Sequence, residues 1–334
     1  MDGKTTMNRP LLIVVTPVRN EAWVLDALLT STSSWADRII LADQHSTDGS
    51  REIASRYEKV ILVDNDSPEM DQAYARWLLF QEVDKIEGDK IVFALDADEF
   101  LSEGFENTAG WQRILESSPN EIFSFNWLNL YGDYGHYIPD HTFMEWAVHF
   151  DSTIPIAQEY HQCEQRSVHE MRVPCLPTER ARYVKIDDFK FVHLARLSLT
   201  RQNNKSAFYQ VHTIANLSSR KNAVSLFRTY YPPRPKTVAL QQEVFLKSPE
   251  IRDLVKTDDY GQYYIDEMLS IFEREGMGKF LKLDIWENPY LKAAGLHPKL
   301  PLRYRALHWY LRKTRENANK KVVKVVDKML KKLF

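Results

Sequence analysis

Four short apolar runs, each followed by a segment of helical period, fill the first hundred residues, and this alternation restricts the fold more than any other feature of the chain. LLIVVTPV (11–18) is continuous and β-branched, as a strand covered on both faces must be. RIILAD (38–43), KVILVDN (59–65) and KIVFALD (90–96) repeat that character. Between them, NEAWVLDALLTSTSSW (20–35) sets Trp23, Val24, Ala27 and Leu28 at helical spacing, and STDGSREIASRY (46–57) opens on Ser46, a residue able to cap a helix. A third helix is expected to start at Asp66, Ser67 and Pro68, run through Ala73, Trp77, Phe80 and Val83, and stop at Gly88. The alternation predicts an α/β fold with an open, mostly parallel sheet, whose ligands bind beyond the carboxyl ends of the strands.

After about residue 105 the rhythm gives way to aromatic and polar segments such as FSFNWLNLYGDYGHY (123–137), read as strand and loop material that closes over a site. YYPPRP (230–235) is a Pro-rich break, and the later segments are mainly helical by period. With 334 residues, 44% hydrophobic and 27% charged, the chain has the material for a sizeable core and the make-up of an ordinary globular protein. No apolar stretch reaches bilayer-spanning length, and the apolar run near the start is too short for a signal peptide, so a cytoplasmic protein is expected. Cys163 and Cys175 form no CxxC pattern, which supports neither a disulfide framework nor a zinc site. A net charge of −2 argues against nucleic acid as a partner, yet residues 303–334 hold eleven Lys and Arg against Glu316 and Asp327 alone.

Three strand ends bring polar groups to one edge of the expected sheet: Thr16, Arg19, Asn20 and Glu21 after the first, Asp43 after the second, Asp96 and Asp98 after the fourth. In a strand Asp96 and Asp98 share a face, and paired carboxylates repel unless a cation or proton lies between them. A calcium loop beginning at Asp96 would need Gly at its sixth position and Glu at its twelfth, where Leu101 and Asn107 stand. An aspartyl-nucleophile phosphatase would place its paired aspartates after the first strand, which ends here in Thr16 and Pro17.

TPVRNEAWVLDALL, ILADQHSTDGSREIASRY and ALDADEFL, in this order and spacing, resemble the nucleotide-sugar-binding half of the family 2 glycosyltransferases, over residues 10–102 and less closely to about 215. The resemblance implies a GT-A (Rossmann-like) domain at 8–215 and a mainly helical C-terminal extension at 216–334. It implies nucleoside contacts at Thr16, Pro17, Arg19 and Glu21, and a bond from Asp43 to the base, with Asp48 and Gly49 completing that turn. Arg76 in QAYARWL is the implied nucleotide-facing arginine. Asp96 and Asp98 match the DxD motif, in which the second aspartate binds Mn2+ or Mg2+ and the first lies near the ribose or metal. His193 resembles a late metal ligand or phosphate contact, and Arg196, Arg201 and Lys205 in the same stretch could meet phosphates. SVHEMRVP (167–174) makes Glu170 the first choice as general base, with His169 as its neighbour and Asp140 and Asp151 as substitutes.

A departing nucleoside diphosphate gathers negative charge, which a divalent cation on hard oxygen ligands neutralises. The activity expected is inverting transfer of one sugar from a nucleotide-sugar donor to a hydroxyl of a glycan or glycolipid, of cell-surface polysaccharide or lipopolysaccharide type. The QxxRW motif of polymerising relatives is missing. Two other readings are a sugar-phosphate nucleotidyltransferase, for which TPVRNEAW lacks a glycine, and a non-catalytic scaffold attached through its basic tail. NKKVVKVVDKMLKKLF (319–334) sets Val322, Val326, Met329, Leu330 and Leu333 on one helical face, for contact with the inner face of the membrane or for packing on protein.

Overall fold

The computed structural model describes residues 9–68, 71–139, 142–150, 153–162, 172–174, 176, 179–216, 222–240 and 249–334. The chain forms two compact units, Met1–Leu197 with Thr237–Thr257, and Ser198–Lys236 with Asp258–Phe334.

The first unit follows the expected alternation: β1 (Leu11–Val18), α1 (Leu25–Ser33), β2 (Arg38–Asp43), α2 (Ser50–Ala54), β3 (Val60–Asp64), α3 (Gln72–Asp84) and β4 (Lys90–Ala94). These four strands lie parallel in the order β4-β1-β2-β3. β5 (Glu99–Leu101), α4 (Ala109–Leu115), β6 (Glu121–Leu130), β7 (His136–Ile138), β8 (Phe143–Phe150), α5 (Ile156–Gln162) and β9 (Arg182–His193) come next. β8 joins β4 and β6 antiparallel, while β9 runs parallel to β6 and antiparallel to β5. The sheet is mixed, with its parallel core in the first hundred residues.

The apolar runs are continuous because both faces of that core are covered. On one side Leu12, Val14, Ile39, Leu41 and Phe93 meet α1, Trp35 and Trp111; on the other Ile13, Val15, Ile40 and Val92 meet Leu79, Phe80 and Val83 of α3 and Tyr160 of α5. Each such side chain, once buried, stabilises the fold by about 1.5–3 kcal/mol. The helices are shorter than their periodic patterns. Ser46 is no helix cap: α2 begins after Gly49, whose φ of 95° suits a residue without Cβ, and the Ser46 hydroxyl bonds the turn after β1 instead. Likewise α3 is capped by Asp71, which accepts from the Tyr74 amide at 3.0 Å, and not by the Asp66–Pro68 stretch.

The second unit opens with α6 (Leu199–Asn216) and α7 (Ala223–Tyr230). The chain then returns to the first unit, where β10 (Val238–Ala239) pairs with β7 and α8 (Pro249–Asp253) packs on α1. It ends in the second unit with α9 (Gln262–Glu275), α10 (Pro289–Ala293), α11 (Leu302–Thr314) and α12 (Lys321–Leu330). Phe208 of α6 packs on Tyr264 of α9, and Arg201 bonds Asp259 at 2.6 Å. The compact division therefore falls before α6 and not at the expected 215/216, and residues 237–257 of the expected extension belong to the first unit. Among the described residues no helix is long and apolar enough to cross a membrane.

Candidate active site at the strand ends

Parallel strands end on one edge, so β1, β2 and β4 deliver Thr16, Asp43 and the DADE segment there. Asp43 is buried at the end of β2. Its Oδ2 accepts from Arg51 Nη1 at 2.8 Å and the Ser46 amide at 3.2 Å, whereas Oδ1 has no partner among the described residues. Arg51 also holds Asp64 at the end of β3, at 2.8 Å. The buried Thr16 hydroxyl is a second polar atom without a hydrogen bond among the described residues. Buried groups left in this way cost free energy until a donor or acceptor reaches them.

The turn after β1 is fastened to the turn after β2. Asn20, with φ 55°, donates its amide to Ser46 Oγ at 2.8 Å and accepts from the Thr47 amide at 2.7 Å. The Glu21 amide bonds Ser50 Oγ at 3.0 Å, and the Ala22 amide bonds Asp48 Oδ2 at 2.9 Å. Asp48 and Ser50 thereby brace the turn that carries Arg19 and follows Pro17 of β1, both part-exposed. Glu21, expected at the nucleoside, accepts from Trp23 Nε1 at 2.5 Å within the same turn.

After β4, Asp96 lies between two guanidinium groups, with Oδ1 bonded to Arg76 at 2.6 Å and Oδ2 to Arg172 at 2.7 Å. Asp96 was expected to touch both nucleotide and metal, but here both of its oxygens serve arginines. Arg172 also bonds Glu99 at 2.6 Å. Glu99 is fully buried and takes three further donors: the indoles of Trp127 at 3.1 Å and Trp146 at 3.0 Å, and the Asp96 amide at 2.9 Å. Burial pushes the Glu99 carboxyl up, opposed chiefly by Arg172. Burial lowers Arg76 against the pull of Asp96, while in Arg172 the two carboxylates outweigh burial and hold the guanidinium protonated.

Asp98 meets His193 because β5 pairs with the end of β9, in register Glu99 with His193. The His193 ring is stacked on Trp127, and its Nδ1 faces Asn129 Oδ1 at 2.7 Å. An amide oxygen there makes Nδ1 the donor, so in the neutral ring Nε2 presents a lone pair. That atom lies 3.6 Å from Asp98 Oδ1. Two acceptors face each other, an arrangement that a proton or a divalent cation satisfies, and carboxylate with imidazole is a donor set that Mn2+ accepts. The residues fit a cation whose remaining ligands come from a substrate; among the described residues no group of three His, Cys, Asp or Glu could hold one alone.

Arg196, three positions after His193, donates no side-chain hydrogen bond among the described residues, and its carbonyl accepts from the Gly132 amide. Arg201 and Lys205 lie on α6 of the second unit, where Arg201 is bound by Asp259 and Lys205 sits over Tyr209. Glu170, His169, Asp140 and Asp151 fall outside the described residues. Reasoning from sequence passed over Arg172, Arg51, Trp127 and Asn129; only Arg172 had a signal, in its proximity to Glu170. Two cavities of about 500 Å³ are lined by other residues, one including Tyr231, Asp284, Asn288 and Arg312, the other Trp77, Asp84, Pro155 and His161.

Parallel strands that gather acids and arginines at their carboxyl ends form the crevice in which open α/β sheets bind ligands. Residues 13–125 match the family model described as Glycosyl transferase family 2, the family that the three motifs resemble. The chain's α/β fold, with a mostly parallel core and a helical C-terminal part, is the expected class. Among solved structures, one of glucosyl-3-phosphoglycerate synthase from Mycobacterium tuberculosis with Mn2+, uridine-diphosphate and glucosyl-3-phosphoglycerate is 18% identical. That match covers 35% of this chain and 44% of that chain, with a TM-score of 0.28. The same synthase with Mg2+ and uridine-diphosphate is 20% identical, with coverage of 35% and 44% and a TM-score of 0.28. The matched part thus spans less than half the length of these structures. None of the curated proteins matches the chain.

Proposed function

We propose that the protein transfers a single sugar from a nucleotide-sugar donor to a hydroxyl group, with inversion, and that Asp98 and His193 hold a divalent cation on the donor diphosphate. The observation that carries this reading is the pair of facing acceptors, Asp98 Oδ1 and His193 Nε2, 3.6 Å apart at the end of the parallel core. When bound there, Mn2+ or Mg2+ would neutralise charge on the leaving diphosphate. Asp43 Oδ1 and the Thr16 hydroxyl, both without partners among the described residues, suit polar atoms of the nucleoside, with Pro17 at the end of β1 and Arg19 on the braced turn beside them. Asp96 fixes Arg76 and Arg172 in place, and their residual positive potential favours phosphate over water. Arg196, which donates no side-chain hydrogen bond among the described residues, is given the same role. Glu21, already bonded to Trp23, is given the lesser part of shaping the turn, and Arg201, bound to Asp259, none.

Glu170 is proposed as the base that takes the acceptor proton, on the ground that Arg172, two positions along, is anchored at Asp96. The acceptor proposed is a glycan or glycolipid of cell-surface polysaccharide type, met in the cytoplasm. A panel of UDP-, GDP-, dTDP- and CMP-sugars tests the activity without acceptor. One donor class is expected to release nucleotide slowly, only with Mn2+ or Mg2+, and at least about 100-fold more slowly in Asp98→Asn. Absence of release from every donor, with the wild-type chain folded and metal supplied, would refute the proposal.

A further inference from the structure

The basic tail buries one face of its helix and keeps outside most of the apolar face that its sequence suggests. Val323 and Asp327 are the buried positions of α12, and Asp327 is bonded by Arg228 at 2.9 Å and by the Tyr310 hydroxyl at 2.9 Å. Tyr304 of α11 meets Phe334 just beyond α12, so the two helices lie against each other. This attachment leaves a second apolar stripe outside. Val322 is 75% exposed, Val325 55%, Met329 62% and Leu333 73%, at i, i+3, i+7 and i+11. On α11, Leu302 is 79% exposed and Trp309, two turns along, 64%. Six of the eleven exposed large hydrophobic side chains among the described residues therefore fall in 302–333. A helix that already has a buried face gains nothing within its own unit from a second apolar face.

The charges beside this stripe are of one sign. Lys321, Lys324, Lys328, Lys331 and Lys332 are exposed, and none has an acidic partner among the described residues. Arg303, Arg305 and Lys313 are exposed on α11, and one of the two acids in 303–334, Asp327, is buried and taken by Arg228. We infer that the outer faces of α11 and α12 dock on an anionic lipid bilayer. Trp309, Leu302, Met329 and their neighbours enter the headgroup boundary while the lysines and arginines meet lipid phosphates. A second copy of this chain would bring like charges together, and a nucleic acid would leave the aliphatic stripe facing phosphate. The inference does not depend on the donor site.

The test is co-sedimentation of the full chain with vesicles of phosphatidylcholine alone and of phosphatidylcholine with about three parts in ten of phosphatidylglycerol. Binding to the anionic vesicles is expected to be at least about tenfold tighter, and to weaken at about 1 M salt. The double variant Lys324→Glu/Lys328→Glu should lose it. Trp309→Ser/Met329→Ser should weaken it at constant charge, and the far-UV circular dichroism of both variants should match wild type. If such a variant fails to fold, quenching of wild-type fluorescence by brominated anionic lipid, relieved in Trp309→Phe, carries the test. Equal binding to both vesicles, no binding to either, or a salt-resistant dimer abolished by Met329→Ser would overturn the inference.

Discussion

At the residue scale the informative side chain is Glu99, which stands beside the acids read as functional and does a different job. Four N–H donors converge on its buried carboxylate, from Arg172, Trp127, Trp146 and the Asp96 amide. Glu99→Gln sets an amide NH2 against donors, and is expected to lower unfolding free energy by about 3 kcal/mol in urea titrations. The exposed Glu103→Gln should stay within about 0.5 kcal/mol of wild type. A loss below about 1 kcal/mol at Glu99 would contradict the assignment. The opposite facing of Glu99 and Asp98 was legible, by the same strand alternation that sets Asp96 and Asp98 on one face. The commitment of Asp96 was not, because its partner Arg172 lies 76 positions away and nothing local announces the pairing.

At the scale of elements, the four parallel strands could be read almost to the residue, since a run buried on both faces admits little else. The turns could not, because their hydrogen bonds link segments that are distant in sequence. Asp48 illustrates this: it reads as part of a nucleotide-binding turn, yet it braces the β1–α1 turn through the Ala22 amide and holds Ser50 at 2.6 Å. Asp48→Ala leaves these donors unsatisfied and should cost about 1–3 kcal/mol, measured as a lower thermal midpoint. It should also weaken nucleotide binding, since the turn after β1 loses its bond at the Ala22 amide; an unchanged midpoint would argue against the brace. Helix ends were misplaced for the same reason, Ser46 being engaged by Asn20 and Asp71 capping α3.

At the scale of the whole molecule, the parallel core was legible and the division into units was not. α6 continues directly from the end of the first unit, and residues 237–257 rejoin that unit by a two-stranded pairing too short to leave a periodic trace. Stability should depend on pH through carboxylates such as Glu121, which Arg113 holds below the usual range by a hydrogen bond at 2.7 Å. A carboxyl lowered on folding adds stability above its unfolded pKa of about 4.3, and that contribution fades as pH falls through the folded value. Wild type should therefore exceed Glu121→Gln in stability at pH 7 and approach it at pH 3, as urea titrations at the two pH values can show; a gap that widens in acid would contradict this. The central claim is that Asp98 and His193 complete a metal-diphosphate site at the edge of the core. It is tested most directly by thermal shift with UDP, GDP, dTDP and CMP, with and without Mn2+, in wild type and Asp98→Asn. The account predicts that one nucleotide at about a hundredfold its Kd raises the midpoint by about 4 °C or more with Mn2+, and that Asp98→Asn, with an unchanged midpoint of its own, loses the shift. No shift with any nucleotide, or an equal shift in Asp98→Asn, would contradict it.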